Sequence, residues 1–264
     1  MSILTAVPFS LQIMIVLLFG LALGSFANVC IYRLPKNESV ILPRSLCPAC
    51  SKKILPWDNI PVLSYFLLRG KCRQCDAQIT IFYPIIEILI ALLLLFGFIN
   101  LEVSWKFAIF CILGPALVII AIIDIKHKII PDIITLPGIL LGFLTGSFLV
   151  GSKNSLIGLL VGAGSFLIIS ETYYRIRGTV GIGGGDIKFI AGIGALLGWQ
   201  QVILVIFLSA FMGSAVGIVG LVGKRLGPLS QIPFGPFLAV GTLISYFAGD
   251  YIIRLYIMMI TGDY

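Results

Sequence analysis

The strongest constraint on this chain is a series of apolar stretches, each close to the length of a membrane span, that recurs along most of the sequence. A hydrocarbon core about 30 Å thick is crossed by roughly 20 helical residues. Backbone groups inside that core must bond within their own helix, so helices are the economical answer. On that ruler eight spans are predicted, at about 10–31, 84–101, 105–124, 131–150, 154–174, 187–199, 202–222 and 233–258. The sixth is short and rich in glycine. The expected fold is therefore an all-α polytopic membrane protein with about eight transmembrane helices. Composition agrees: 59% of residues are hydrophobic and only 11 are Asp or Glu. The first apolar run has no basic residue before it and no small-residue cleavage site after it. It reads as an uncleaved span and not as a secretory signal.

The positive charges set the orientation. Of 18 Lys and Arg residues, all but Lys106, Lys153 and Arg254 fall in loops on one side of the predicted spans. The excess includes eight in the first loop, among them Arg44, and Lys224 with Arg225 after the seventh span. An excess of this kind marks the cytoplasmic face. Both termini are then expected outside, with the long polar loop 32–83 in the cytosol. The net charge of +7 serves topology and contact with anionic membrane lipids. It is dispersed over loops with no binding fold behind it, so no nucleic-acid partner is expected.

That polar loop carries Cys47-Pro48-Ala49-Cys50 and Cys72-Arg73-Gln74-Cys75. Each short turn can aim two thiolates at one ion, and two turns complete a closed tetrahedral Zn2+ site. The loop is too small for much of a core, so metal binding would supply its folding energy. Dithiol chemistry is the competing reading of a C-x-x-C pair, but two pairs in a cytosolic loop favour structural zinc. Four protein ligands leave no open position, so hydrolysis is not assigned to this metal. Cys30 and Cys111 lie in apolar spans and read as small buried hydrophobes.

Acidic residues beside membrane spans are functional by default, and two share one predicted depth. Asp124 ends the third span and Asp186 precedes the sixth. Two carboxylates that approach closely cannot both ionise cheaply, so one keeps a proton. Such a pair can deprotonate a water and protonate a leaving amine. Gly183, Gly184 and Gly185 beside Asp186 are expected to permit positive φ and close approach of an extended substrate. The bland alternatives are that Asp186 caps a helix and that Asp124 accompanies Lys126 at the interface. Asp132, after Pro131, reads as a helix-start residue. His127, the only histidine, reads as interfacial, and Lys126 and Lys188 as cytosolic anchors. Gly158 with Gly162, Gly194 with Gly198 and Gly213 with Gly217 have the spacing of helix-packing contacts within one chain.

These residues resemble a known family. Gly24-Ser25-Phe26-Ala27-Asn28-Val29-Cys30-Ile31-Tyr32-Arg33-Leu34-Pro35, the four loop cysteines, Asp58-Asn59-Ile60-Pro61-Val62-Leu63-Ser64, Leu68-Arg69-Gly70-Lys71-Cys72, Asp124 with Ile130-Pro131-Asp132, and Gly183-Gly184-Gly185-Asp186 are similar to the motifs of bacterial type IV prepilin leader peptidase/N-methyltransferases. The resemblance covers nearly the whole chain. It implies a multi-pass enzyme of the bacterial cytoplasmic (inner) membrane that cleaves prepilins or related pseudopilins after a glycine, usually before phenylalanine. It implies Asp124 and Asp186 as catalytic residues and methylation of the new N-terminal amine from S-adenosyl-L-methionine. Three regions follow: a first helix, 1–31; a cytosolic zinc loop associated with methyl transfer, 32–83; and a peptidase region, 84–264. Thr80-Ile81-Phe82 stands where the family usually has a basic residue, just before Tyr83-Pro84-Ile85-Ile86-Glu87. Glu87 is the candidate cofactor contact there. A peptidase without methyl transfer, or a transporter or assembly scaffold with a zinc loop, are the alternatives.

Overall fold

The computed structural model describes residues 8–43, 45–179, 181–224, 227 and 231–261. Arg44 and Arg225, both counted in the charge excess, lie outside the described residues. Among the described residues six helices are long and apolar enough to cross a membrane. One of them, Asp132–Arg177, runs 46 residues, about 69 Å at 1.5 Å per residue, which is twice a bilayer core. It breaks at a π-helical turn, Ser147–Gly151, where Gly151 has φ +88°. Two helices therefore stand where two spans were predicted.

The chain divides into two compact units, one through Ile119 and the other from Ile120. In the first, helix α1 (Phe9–Arg33) lies against α3 (Phe82–Leu101). Contact is backbone to backbone. A Cβ on Gly20 would stand 2.6 Å from the Ala91 Cα, and one on Gly24 2.5 Å from the Glu87 Cα. Helix α4 (Trp105–His127) begins in this unit and ends in the next. The change of polarity at residue 84 is thus not where compactness changes; α3 packs with the helix that precedes the loop.

The loop itself holds a short helix, α2 (Leu63–Leu67), and two cysteine turns built alike. Ser51 N–H donates to Cys47 O and Cys47 N–H to Lys52 O; Asp76 N–H donates to Cys72 O and Cys72 N–H to Ala77 O. The residue after each second cysteine is left-handed, Ser51 at φ 56° and Asp76 at φ 54°. Isolated bridges Leu46–Lys53 and Lys71–Gln78 close the two turns. The likeness of the two turns is carried by backbone geometry and by the cysteines.

The second unit contains α5 (Asp132–Gly146), α6 (Ser152–Arg177), α7 (Gly184–Leu197), α8 (Trp199–Val222) and α9 (Gly235–Thr261). Helix α7 has 14 residues, about 21 Å, too short to cross alone. It packs against α5, α6, α8 and α9, and Phe189–Ala191 and Ile193–Leu197 are buried. Small residues let this happen. Cβ atoms on Gly142 and Gly162 would stand 2.6 and 2.7 Å from the Gly192 and Ile190 carbonyl oxygens, and the buried Ser155 hydroxyl donates to Ala195 O at 2.6 Å. Gly158 and Gly194 are pressed on each other's carbonyls, so this glycine spacing packs helices within the chain.

Candidate active site and metal centre

Asp124 sits in the last turn of α4 and is 5% exposed. Its Oδ2 accepts the Gly235 N–H at 2.8 Å. Gly235 opens α9, where backbone N–H groups have no intrahelical partner. The carboxylate therefore closes the start of a helix 111 residues away in sequence, and Gly235 must be glycine-like because a Cβ there would lie 2.8 Å from Asp124 Oδ2.

Asp186 is the third residue of α7. Its Oδ1 is buried and has no hydrogen-bond partner; the Thr135 hydroxyl on α5 is the other such buried atom among the described residues. The charge of Asp124 acts on Asp186, so the two carboxylates chosen from sequence share one electrostatic neighbourhood. His127 takes no place in this arrangement.

The glycine run departs from expectation. Gly183 is extended at φ −67°, and Gly184 and Gly185 form the first turn of α7. None of the three has the positive φ expected of them, because a helix start needs right-handed geometry. One of the three is crowded by the chain itself: a Cβ on Gly185 would meet Ile130 Cβ at 2.8 Å. Gly183 faces Asp186 Oδ2, and nothing lies within 4 Å of a Cβ on Gly184. Asp132 makes no side-chain cap of α5. It binds Lys188 instead, with both oxygens 2.7 Å from Nζ. The tie joins α5 to α7 two residues beyond Asp186.

In the first unit the four thiol sulfurs of Cys47, Cys50, Cys72 and Cys75 lie within 4.8 Å of one another, and Cys47 and Cys75 are 3.8 Å apart. A tetrahedron with Zn–S bonds of about 2.3 Å has edges of roughly 3.8 Å, so the donor set fits the ion by distance and by chemistry. Beside it is a cavity of about 700 Å³, within the usual range for small-molecule sites, about 300–1,000 Å³. Its floor is the α1–α3 pair, where Asn28 Nδ2 donates to Tyr83 O at 3.0 Å. Glu87 rises there, 7% exposed, and its Oε2 accepts the Val62 N–H at 2.7 Å.

Comparison with known proteins bears on what these two sites belong to. Residues 18–101 match the Bacterial Peptidase A24 N-terminal domain, and residues 111–218 match the Type IV leader peptidase family. A prepilin leader peptidase/N-methyltransferase of Aeromonas hydrophila is 36% identical, over 92% of this chain and 93% of its own. One from Bacillus subtilis is 35% identical over 94% and 99%, and one from Pseudomonas aeruginosa 33% over 91% and 92%. The chain belongs to the type IV leader peptidase family. No solved structure matches it.

The first family region ends with α3 and the second begins within α4. The first carries the cysteine cluster and cavity; the second carries both carboxylates. Sequence reasoning missed Gly235 as the partner of Asp124. The signal was available in Phe234-Gly235-Pro236: proline in a first helical turn marks a helix start, and a helix start needs an acceptor. It also missed Val62, whose link to Glu87 spans 25 residues of sequence.

Proposed function

We propose that this chain is a prepilin leader peptidase, acting on type IV prepilins or pseudopilins with Asp124 and Asp186, and an N-methyltransferase that then modifies the new N-terminus. The observation that carries the peptidase reading is a buried carboxylate, Asp124, anchored by a backbone N–H, in one electrostatic neighbourhood with the half-buried Asp186, whose Oδ1 is buried and bare. Asp124 is suited to hold negative charge: its Oδ2 is bonded by Gly235 N–H at a helix N-terminus, which favours anions. Asp186 is suited to hold the shared proton. Asp124 takes a proton from water as the water oxygen attacks the scissile carbonyl carbon, and Asp186 gives its proton to the carbonyl oxygen. Collapse of the tetrahedral species then sends a proton to the leaving amine, and the pair is restored. The open side of Gly184 gives an extended substrate room beside Asp186.

The protein resides in the bacterial inner membrane, with loop 32–83 and the Asp pair toward the cytosol and both termini outside. Cys47, Cys50, Cys72 and Cys75 hold structural zinc, which fastens the loop. S-adenosylmethionine supplies the methyl group when bound. The loop, with the helices beneath it, serves methyl transfer; the helices beyond Ile120 serve cleavage.

Purified enzyme with a prepilin and S-adenosylmethionine, read by intact mass beside Asp186→Asn, tests this. Leader loss plus one methyl in wild type, and neither in the variant, is expected. Leader loss without methyl would leave a peptidase alone. No cleavage of any pilin tried would favour a transporter or scaffold.

A further inference from the structure

We infer that α2 is a membrane anchor: its apolar face, with the turn before it, lies in the lipid surface on the side that carries loop 32–83. Helix α2 is amphipathic in the sense opposite to that of a helix facing water. Leu63, Phe66 and Leu67, spaced i, i+3 and i+4 and so on one face, are 57%, 68% and 72% exposed. The buried residue of this helix is Ser64, whose hydroxyl donates to Trp57 O at 3.0 Å. Trp57 and Ile60, in the turn that leads into α2, are exposed as well. Large apolar side chains turned outward around an inward serine make the kind of patch that marks a protein or membrane contact.

Depth and charge make lipid the occupant. Val62, which precedes α2, gives its N–H to Glu87 Oε2 at 2.7 Å. Glu87 lies in the second turn of α3, a helix long and apolar enough to span. It is packed there on Gly24 of α1, more than two turns before that helix ends at Arg33. Helix α2 therefore starts beside the ends of two spans instead of standing clear of them. At the same end α3 exposes Ile81, Phe82 and Ile85 around its start, residues placed for lipid. Arg69 and Lys71 come just after α2; both are exposed, and neither has an ion pair among the described residues. Basic side chains beside an interfacial apolar face suit anionic headgroups.

The backbone fixes which way α2 faces. Val62 has φ 62° and ψ −51°, which a β-branched residue rarely adopts, and such backbone persists where surrounding contacts over-determine it. Arg69 at φ 52° and Gly70 at φ 69° bound the helix on its other side. Turning α2 to hide its apolar face would break the Val62–Glu87 and Ser64–Trp57 bonds together. Seated in lipid, α2 ties the loop to the membrane between its two spans and keeps the cysteine turns over the α1–α3 pair. The anchor rests on membrane residence and on neither proposed activity.

Trp57 reports on this in the full-length protein once Trp105→Phe and Trp199→Phe remove the other tryptophans. In vesicles of phosphatidylcholine and phosphatidylglycerol, lipid brominated near the headgroup end of its acyl chains should quench Trp57. Phe66→Glu should shift the loop from seated to free by at least about tenfold, the loss expected when one large apolar side chain returns to water. Quenching should fall with it, while the metal bound by the loop, measured by elemental analysis, is retained. Leu67→Gln, a milder change on the same face, should act in the same direction. A Trp57 that stays unquenched in protein with its metal bound would overturn the inference. So would equal quenching with and without both substitutions, since α2 would then not be what seats the turn. A blue shift of Trp57 that appears only when prepilin is added would assign the face to substrate and overturn lipid as its occupant. Neither cleavage nor methylation is read, so each of these failures leaves the proposed function standing.

Discussion

Asp124 has an architectural role in this structure and a proposed chemical one, and a pair of substitutions separates them. One is architectural: its Oδ2 receives the buried Gly235 N–H at 2.8 Å and so closes the first turn of α9. The other is the proposed acid–base chemistry with Asp186. Asp124→Asn keeps a side-chain oxygen of the same reach, so the cap survives and the charge is lost. Asp124→Ala removes both. Loss of a helix cap costs about 1 kcal/mol, and a buried N–H left without a partner about 1–3 kcal/mol. At about 2–4 °C per kcal/mol for a chain above 150 residues, Asp124→Ala should lower Tm by several degrees, and Asp124→Asn by less than about 2 °C. Cleavage should fall in both by about 10²–10⁴-fold, the range contributed by a positioned acid or base. The assay is an intact-mass time course of prepilin cleavage, with thermal unfolding in the same detergent. An Asp124→Asn enzyme that cleaves within tenfold of wild type, beside an Asp124→Ala enzyme that fails in both assays, would show that the residue is a cap and nothing more.

Other consequences follow from the same geometry. Replacing Cys47 and Cys72 by Ser should remove the bound metal, measured by elemental analysis, and lower methylation or protein level more than cleavage per folded molecule; unchanged zinc content would contradict the assignment. Gly158→Ala would place a Cβ 2.8 Å from Gly198 Cα and against the Gly194 carbonyl. Overpacking of this kind costs about 1–3 kcal/mol and should appear as a lower Tm together with slower cleavage, because α7 carries Asp186. Lys188→Ala breaks the Asp132 pair, but these side chains are 38% and 56% exposed. Exposed pairs are worth about 0–1 kcal/mol, so Tm should hardly move, and a large drop would show that the tie orders α7.

Much of this was readable from residue types. Carboxylates are so scarce here that Asp124 and Asp186 stood out, and the doubled C-x-x-C pattern announced its own chemistry. The legible features are those whose signal is local: apolar length, cysteine spacing, charge bias. What stayed hidden depends on which segment approaches which. The Gly235 bond to Asp124 and the Val62 bond to Glu87 join distant segments, and no local pattern states them. The glycine run shows the limit most clearly. Read locally, it promised left-handed backbone; in the fold, Gly185 makes room for Ile130 while Gly183 and Gly184 lead into an ordinary helix start. A glycine reports that something comes close or that the chain bends, and only the neighbours decide which. Helix α7 draws these points together. Its 14 residues are too few for lipid on all sides, yet its shortness is consistent with its surroundings, since α5, α6, α8 and α9 pack around it and satisfy it as a protein core would. An unpaired carboxylate oxygen facing hydrocarbon would be costly. At the first turn of a helix enclosed by protein, the same oxygen on Asp186 is held buried, two residues from the open side of Gly184. A short, glycine-rich span was therefore the sequence's indirect sign that its N-terminal acid faces protein instead of lipid.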